Sequence, residues 1–235
     1  MFRLFFTPTW FHGWDLVFQA ISIVVALLIA AYSWRIYRIH HERKYGYFSF
    51  AFLMVAFGLL MQILTSGVVY FTPIRDVAAD VLRPVAGDSL EYSSLLYRLG
   101  FFLQMAPLLG GWLLIFLVSQ KSRARLTKFY EVAQIALFIY LIILISFVAN
   151  FKYFVFYLTS AVILGLVVLN YYKNYLNTGK NKNAFWVMIS FLLILIGNLF
   201  FVFVFLVKSF YVLGQLSMLA GFLLLLYIYM KVVRR

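Results

Sequence analysis

Six of the uncharged polar residues inside the long apolar stretches of this chain could contact a bound molecule. They are three glutamines, one asparagine, one threonine and one serine: Gln62, Thr65, Gln104, Asn198, Gln215 and Ser217. Because buried amides require hydrogen-bond partners, these side chains should face the interior of a helix bundle. There they suit the binding of a small, mostly apolar, uncharged ligand, which a few polar groups orient. The alternative is that they bond neighbouring helices to one another without any ligand.

Ionisable side chains are absent from the middle of every apolar stretch, and this argues against several classes of function. Charges within a membrane normally mark proton relays and ion pathways, so a pump or an ion-coupled transporter is not expected. The chain has no cysteine, which excludes thiolate metal sites and cysteine nucleophiles. The adjacent His40 and His41 lie among basic residues, and no nucleophile and base are paired at helical spacing. We therefore expect no catalytic residue, no metal and no cofactor.

Carboxylates cluster in the connection after the second apolar stretch. They are Asp76, Asp80, Asp88 and Glu91, beside Arg75 and Arg83. The spacing of Asp76 and Asp80 suits a short helix that caps the bundle. A solvated acidic face is one interpretation of this cluster, and metal binding is the other.

Seven apolar segments would position these residues. Of 235 residues, 66% are hydrophobic and 11% are charged, and a helix needs about 20 apolar residues to cross the bilayer. The pattern predicts an all-α integral membrane protein, with one transmembrane domain over residues 1–235. The predicted helices cover residues 15–37, 46–71, 96–119, 129–149, 152–173, 184–207 and 209–231. The aromatic N-terminal segment is expected to be retained and to lie at the membrane interface.

The net charge of +13 is distributed unevenly between the connections. Most Lys and Arg residues lie in the first, third and fifth connections and in the C-terminal tail. The positive-inside rule places these regions in the cytoplasm and the N-terminus outside. The excess is explained by orientation and by attraction to anionic lipid, so nucleic acid is not expected as a partner. The sequence thus predicts a multi-pass protein of the cell membrane.

Two parts of the chain share a residue pattern. The matched pairs, at an offset of 139 positions for the first two and 114 for the third, are Ala51 with Ser190, Gly58 with Gly197, and Gly100 with Gly214. Chance similarity between apolar helices rich in Leu, Phe and Gly is the alternative. A true repeat would make helices 1–3 and 5–7 parallel copies joined by helix 4, with a cavity between the halves.

This 3+1+3 layout resembles the broad seven-helix class that includes the microbial opsins and the small PQ-loop and sugar-facilitator proteins. The resemblance covers the whole chain but concerns topology only. An opsin carries its retinal lysine near the middle of helix 7, whereas Lys208 and Lys231 lie at the two ends of that helix here. Neither first helix of a half contains the proline of a Pro-Gln pair. Transfer of function from these families would be analogy alone.

The concentration of polar residues in the predicted outer half favours a receptor-like or sensory protein. It would hold its ligand in an outward-facing pocket and signal through a separate cytoplasmic protein. The main alternative is a facilitator that moves an uncharged small solute without ion coupling. A lipid-modifying enzyme that uses the external carboxylates and a structural partner of another membrane protein are further alternatives. The residues predicted to converge around the cavity are Gln62, Gln104, Asn198 and Gln215.

Overall fold

The computed structural model describes residues 8–11, 13–70, 92–120 and 153–233. These residues form one short 3-10 helix, Thr9–Phe11, and six long α-helices, and they contain no strand. The helices are α1 (Trp14–His40), α2 (Arg43–Tyr70), α3 (Tyr92–Ser119), α4 (Tyr153–Asn177), α5 (Lys182–Val202) and α6 (Ser209–Val233). All six contain a segment long and apolar enough to cross a membrane, which makes the chain a multi-pass membrane protein that is all-helical within residues 13–70, 92–120 and 153–233.

The six α-helices correspond to six of the seven predicted ones. The predicted helix at residues 129–149 lies outside the described residues. The acidic connection with Asp76, Asp80, Asp88 and Glu91 also lies outside them.

The largest difference from the predicted boundaries is at the end of α5, which ends at Val202 rather than at residue 207. Residues 203–206 form turns, in which the N–H of Leu206 donates to the carbonyl oxygen of Phe203 at 3.0 Å. Only Lys208 separates the two apolar runs, so the reversal of the chain takes its residues from the apolar run itself. This produces an exposed apolar turn, in which Phe205 and Leu206 are 55% and 63% exposed.

The six helices form a closed ring in chain order. Each helix packs against the next one along the chain, and α6 packs against α1. The contacts of α3 with α4 and of α6 with α1 are less extensive than the contacts between successive helices within α1–α3 or within α4–α6. The described chain therefore divides into two three-helix halves.

Glycines bring α2 and α3 close together. A Cβ atom at Gly58 would lie 2.6 Å from the side chain of Leu108, and one at Gly111 would lie 2.9 Å from the carbonyl oxygen of Ala51. Both distances are shorter than the closest approach of Cβ atoms in real proteins. A residue larger than glycine at either position would therefore push the two helices apart.

The contact between α5 and α6 uses glycines in the same way. A Cβ atom at Gly197 would lie 2.6 Å from the side chain of Met218, and one at Gly221 would lie 2.7 Å from the carbonyl oxygen of Ser190. Both helix pairs therefore approach closely at two levels, one turn or more apart.

The glycine contacts of one half match those of the other half at two fixed sequence offsets, one for each helix of the pair. An offset of 139 relates Ala51 and Gly58 to Ser190 and Gly197, and an offset of 110 relates Leu108 and Gly111 to Met218 and Gly221. The second offset differs from the sequence match of Gly100 with Gly214 by about one helical turn.

Packed aromatic side chains fill the ring at mid-height. Trp112 of α3 stacks on Phe222 of α6 with 6.2 Å between ring centroids, and Phe222 meets Phe52 of α2 edge-on at 6.4 Å. All three side chains are at most 1% exposed. This aromatic layer separates two ends of the ring that carry different polar groups.

We call these ends the basic end and the amide end. The basic end is where α1, α3, α4 and α6 end and where α2 and α5 begin; it carries Arg35, Arg38, Arg43, Lys44, Lys173, Lys180, Lys182 and Lys231. The amide end is the other one, and it includes the amides Gln19, Gln62, Gln104, Asn198 and Gln215.

Candidate functional site

The predicted ligand-binding amides are all buried in the amide end of the ring. Gln104 is 1% exposed, Asn198 is 3% exposed, and Gln62 and Gln215 are each 6% exposed. Each comes from a different helix, α3, α5, α2 and α6 respectively. None of these amides is therefore presented to lipid.

A tyrosine hydroxyl joins α1 to α6 at this end. The Nε2 atoms of Gln19 and Gln215 both donate to the hydroxyl of Tyr211, at 3.5 and 3.3 Å. Gln19 is 1% exposed. It was not among the predicted binding residues, although a lone amide within an apolar stretch is the same sequence signal as Gln215.

Gln104 has one bonded and one unbonded polar atom. Its Oε1 accepts from the hydroxyl of Tyr153 at 3.4 Å. Its Nε2 is buried and has no partner among the described residues, and the same holds for Oε1 of Gln19. An unsatisfied buried amide atom costs about 1–3 kcal/mol. The two atoms together present one donor and one acceptor.

Three other predicted residues, Thr65, Asn198 and Ser217, bond to backbone carbonyls. Thr65 and Asn198 donate to carbonyl oxygens four residues earlier in their own helices, at 2.8 and 3.0 Å. Ser217 of α6 donates to the carbonyl oxygen of Leu193 of α5 at 2.9 Å. Of these three bonds, only that of Ser217 joins two helices. Gln104 and Gln215 are the predicted residues that bond to tyrosines.

Aromatic rings link the Gln104 pair to the Tyr211 group. Tyr153 stacks on Tyr157 with 6.2 Å between centroids, Tyr157 lies 4.8 Å from Phe201, and Phe201 lies 5.6 Å from Tyr211. A continuous chain of rings therefore runs from α4 through α5 to α6. We call the whole group the amide layer: Gln19, Gln104, Gln215, Tyr153, Tyr157, Phe201 and Tyr211.

The N-terminal segment covers part of the amide layer. Phe11 is 4% exposed and lies 6.3 Å from Tyr211 and 5.7 Å from Phe18, measured between ring centroids. The neighbouring Trp10 and Trp14 are 66% and 60% exposed. Phe11 therefore packs between α1 and α6, while the two exposed tryptophans remain available to the membrane interface.

A separate cavity of about 460 Å³ lies at the basic end. Five of the six helices contribute to it, and its polar walls are Arg35 and His40 of α1, Tyr45 of α2, Asn174 of α4 and Asn183 of α5. Sequence reasoning placed a pocket at the other end and missed this one. The signal was present as basic and amide side chains near several helix ends, but only the packing brings them together.

Two tyrosines form the aromatic wall of the basic-end cavity. Tyr171 stacks on Phe191 with 4.9 Å between centroids and 8° between planes. Tyr229 stacks on Phe48 at 5.4 Å and 20°. Both rings are thus held by partners in the core, so the wall of the cavity is fixed before any molecule enters.

None of the protein families, curated proteins and solved structures with which the chain was compared matches it. Its function is therefore inferred from the two sites alone.

Proposed function

We propose that this protein is a receptor-like or sensory membrane protein that binds a small, mostly apolar, uncharged ligand in the amide layer. The observation that carries the proposal is the pair of buried amide atoms, Nε2 of Gln104 and Oε1 of Gln19, which lack partners among the described residues. A carbonyl or hydroxyl oxygen of a bound molecule would accept from Nε2 of Gln104, and a hydroxyl group could donate to Oε1 of Gln19. The surrounding rings would supply most of the contact.

The orientation that we propose follows from the positive-inside rule. The basic end faces the cytoplasm, and the amide end with the N-terminus faces outward. Seven crossings, with residues 129–149 as the fourth, are required for this arrangement. The ligand would then enter from outside, and a cytoplasmic signalling protein would meet the basic end.

A facilitator for an uncharged small solute is the second candidate. It is supported by the matched glycine contacts of the two halves, which fit a parallel 3+1+3 repeat, and by the cavity at the basic end. Rocking at the less extensive contacts between the halves would open each end in turn. The buried stack of Trp112 on Phe222 favours the receptor, because passage through the ring would have to separate these two side chains.

Replacement of Gln104 by Leu tests whether the amide layer is kept for a ligand. Without ligand, we expect Gln104→Leu to unfold at or above the temperature of the original protein, because the change removes an unsatisfied polar atom and only one long hydrogen bond. Camphor, a neutral ketone with an apolar body, should raise the unfolding temperature of the original protein and not that of the variant.

Ser22→Ala is the matched control, because Ser22 is also buried at the amide end and donates to a carbonyl oxygen of its own helix. It should keep the response to camphor. A clear loss of ligand-free stability in Gln104→Leu, with no response to camphor in any variant, would identify the amides as structural and contradict the proposal.

Solute uptake separates the two candidate functions. Liposomes that contain the receptor should take up glycerol no faster than empty liposomes. Faster uptake, further increased by Trp112→Phe, would favour the facilitator, because the smaller ring would obstruct passage less.

A further inference from the structure

We propose that the cavity at the basic end binds a phosphate-bearing anion, which is either a soluble phosphoester or the headgroup of an anionic phospholipid. This site lies on the other side of the aromatic layer from the amide layer. It does not depend on the ligand proposed for that layer.

The size and charge of the cavity support this occupant. Its volume of about 460 Å³ lies within the range of about 300–1,000 Å³ that is usual for small-molecule sites. Arg35 and His40 line it, and the described lining contains no Asp or Glu. A guanidinium presents several N–H donors in a planar fork that matches phosphate oxygens.

The uncharged donors of the cavity surround the same space from other helices. Asn174 reaches it from α4, Asn183 from α5 and Tyr45 from α2, and all three side chains are half-buried. A phosphate carries its oxygens in a tetrahedron and accepts hydrogen bonds from several directions at once. A carboxylate has two oxygens in one plane and would leave more of these donors unused. The arrangement therefore favours phosphate.

The aromatic wall makes the site rigid on its inner side. Tyr171 and Tyr229 stack on Phe191 and Phe48, so ordering these rings adds little to the cost of binding. The apolar walls Ile36 and Ile228 are buried, which lowers the local dielectric and strengthens a charge-assisted hydrogen bond.

The surroundings of the cavity would attract an anion. Arg38 and Lys173 are exposed at the same end, and such groups raise the local concentration of anions. Glu42, the acidic residue of the connection between α1 and α2, is in an ion pair with Lys44. Its charge is thus partly neutralised.

The test uses the full chain in nanodiscs and compares Arg35→Gln with Arg38→Gln. Arg38 lies on the same helix at the same end but does not line the cavity. In neutral phosphatidylcholine nanodiscs, glycerol 3-phosphate is titrated calorimetrically. In a second arm, phosphatidic acid is titrated into the same nanodiscs and the shift in unfolding temperature is measured.

We expect saturable binding in at least one arm, with Arg35→Gln weakening it about tenfold or more and Arg38→Gln about twofold or less. Binding of glycerol 3-phosphate without a response to phosphatidic acid identifies a soluble ligand, and a response to phosphatidic acid alone identifies a lipid headgroup. Responses in both arms identify the phosphomonoester that the two probes share. Asn183→Leu, on a different helix, should also weaken binding. If Arg35→Gln fails to fold, Asn183→Leu still tests whether the cavity is the binding site.

Two results would overturn the proposal. One is equal weakening by Arg35→Gln and Arg38→Gln, which would indicate diffuse attraction to the basic end. The other is the absence of saturable binding in both arms by protein whose helical circular dichroism is intact. Neither result depends on whether camphor binds at the amide end.

Discussion

The glutamines of the amide layer are uncharged and buried, whereas Arg35 and His40 at the basic end are basic and line open space. Gln104 is 1% exposed and bonds to one tyrosine. Arg35 is exposed beside a cavity of about 460 Å³. The difference follows depth in the membrane: hydrocarbon tolerates an amide only where protein supplies partners, while a long basic side chain near a helix end still reaches water.

The aromatic layer is what keeps these two environments apart, and removing its largest side chain should have the largest effect. Trp112→Ala is expected to lower the free energy of unfolding by about 3–5 kcal/mol, because it leaves a cavity against Phe222. The measurement is reversible unfolding by sodium dodecyl sulfate in mixed micelles. Trp34→Ala is the control, since Trp34 is 50% exposed. Equal effects of the two changes would show that the layer is not the packed centre of the fold.

A carboxylate placed at each end tests the comparison directly. Gln104→Glu should cost about 2.5–3.5 kcal/mol, or should hold the new carboxyl in its protonated form, because the site is buried at membrane depth. Asn183→Asp should cost less than about 1 kcal/mol, because its side chain is half-buried beside basic groups. Unfolding measured at pH 5 and pH 8 would reveal the difference, since only the first variant should be more stable at the lower pH. Similar costs at both ends would contradict the distinction.

The close glycine contacts within the two three-helix halves can be tested by adding a methyl group, with a smaller expected effect. Gly197→Ala should cost about 1–3 kcal/mol, because the added methyl group would meet α6, and Gly58→Ala should behave alike against α3. Gly165→Ala of α4 is the control, because a methyl group added there would have no neighbouring side chain or helix within 4 Å, and it should be neutral or slightly stabilising. A cost at Gly165 equal to that at Gly197 would show that these glycines are not interface positions.

The helices could be predicted from the sequence because charged and polar residues mark their ends. Residues 184–207 illustrate the limit of this signal, since the run contains no Gly or Pro near the point where α5 stops at Val202. Only the need to reverse the chain before Ser209 ends the helix there.

The candidate sites could be predicted only where a single helix carries the signal. An amide within an apolar run, such as Gln104, can be recognised in the sequence as a buried polar group. If it faced lipid instead, it would lose its hydrogen bonds. The basic-end cavity depends on five helix ends that meet, so Arg35 and Asn183 look like ordinary interfacial residues until the ring closes. The offset that the sequence predicts between α3 and α6 differs from the packing by about one turn for a related reason. Apolar helices of similar composition slide by a turn without changing the face that they bury.

During synthesis, the connection between α5 and α6 has to be delivered through the membrane in the proposed orientation. Residues 203–208 of this connection contain one charged residue, Lys208. Carrying one lysine past the bilayer centre costs about 2.5–3.5 kcal/mol on insertion scales, which two apolar helices readily offset. The two helices can therefore enter the translocon's lateral gate together as one hairpin. After insertion, we expect the exposed side chains of Phe205 and Leu206 to contact lipid.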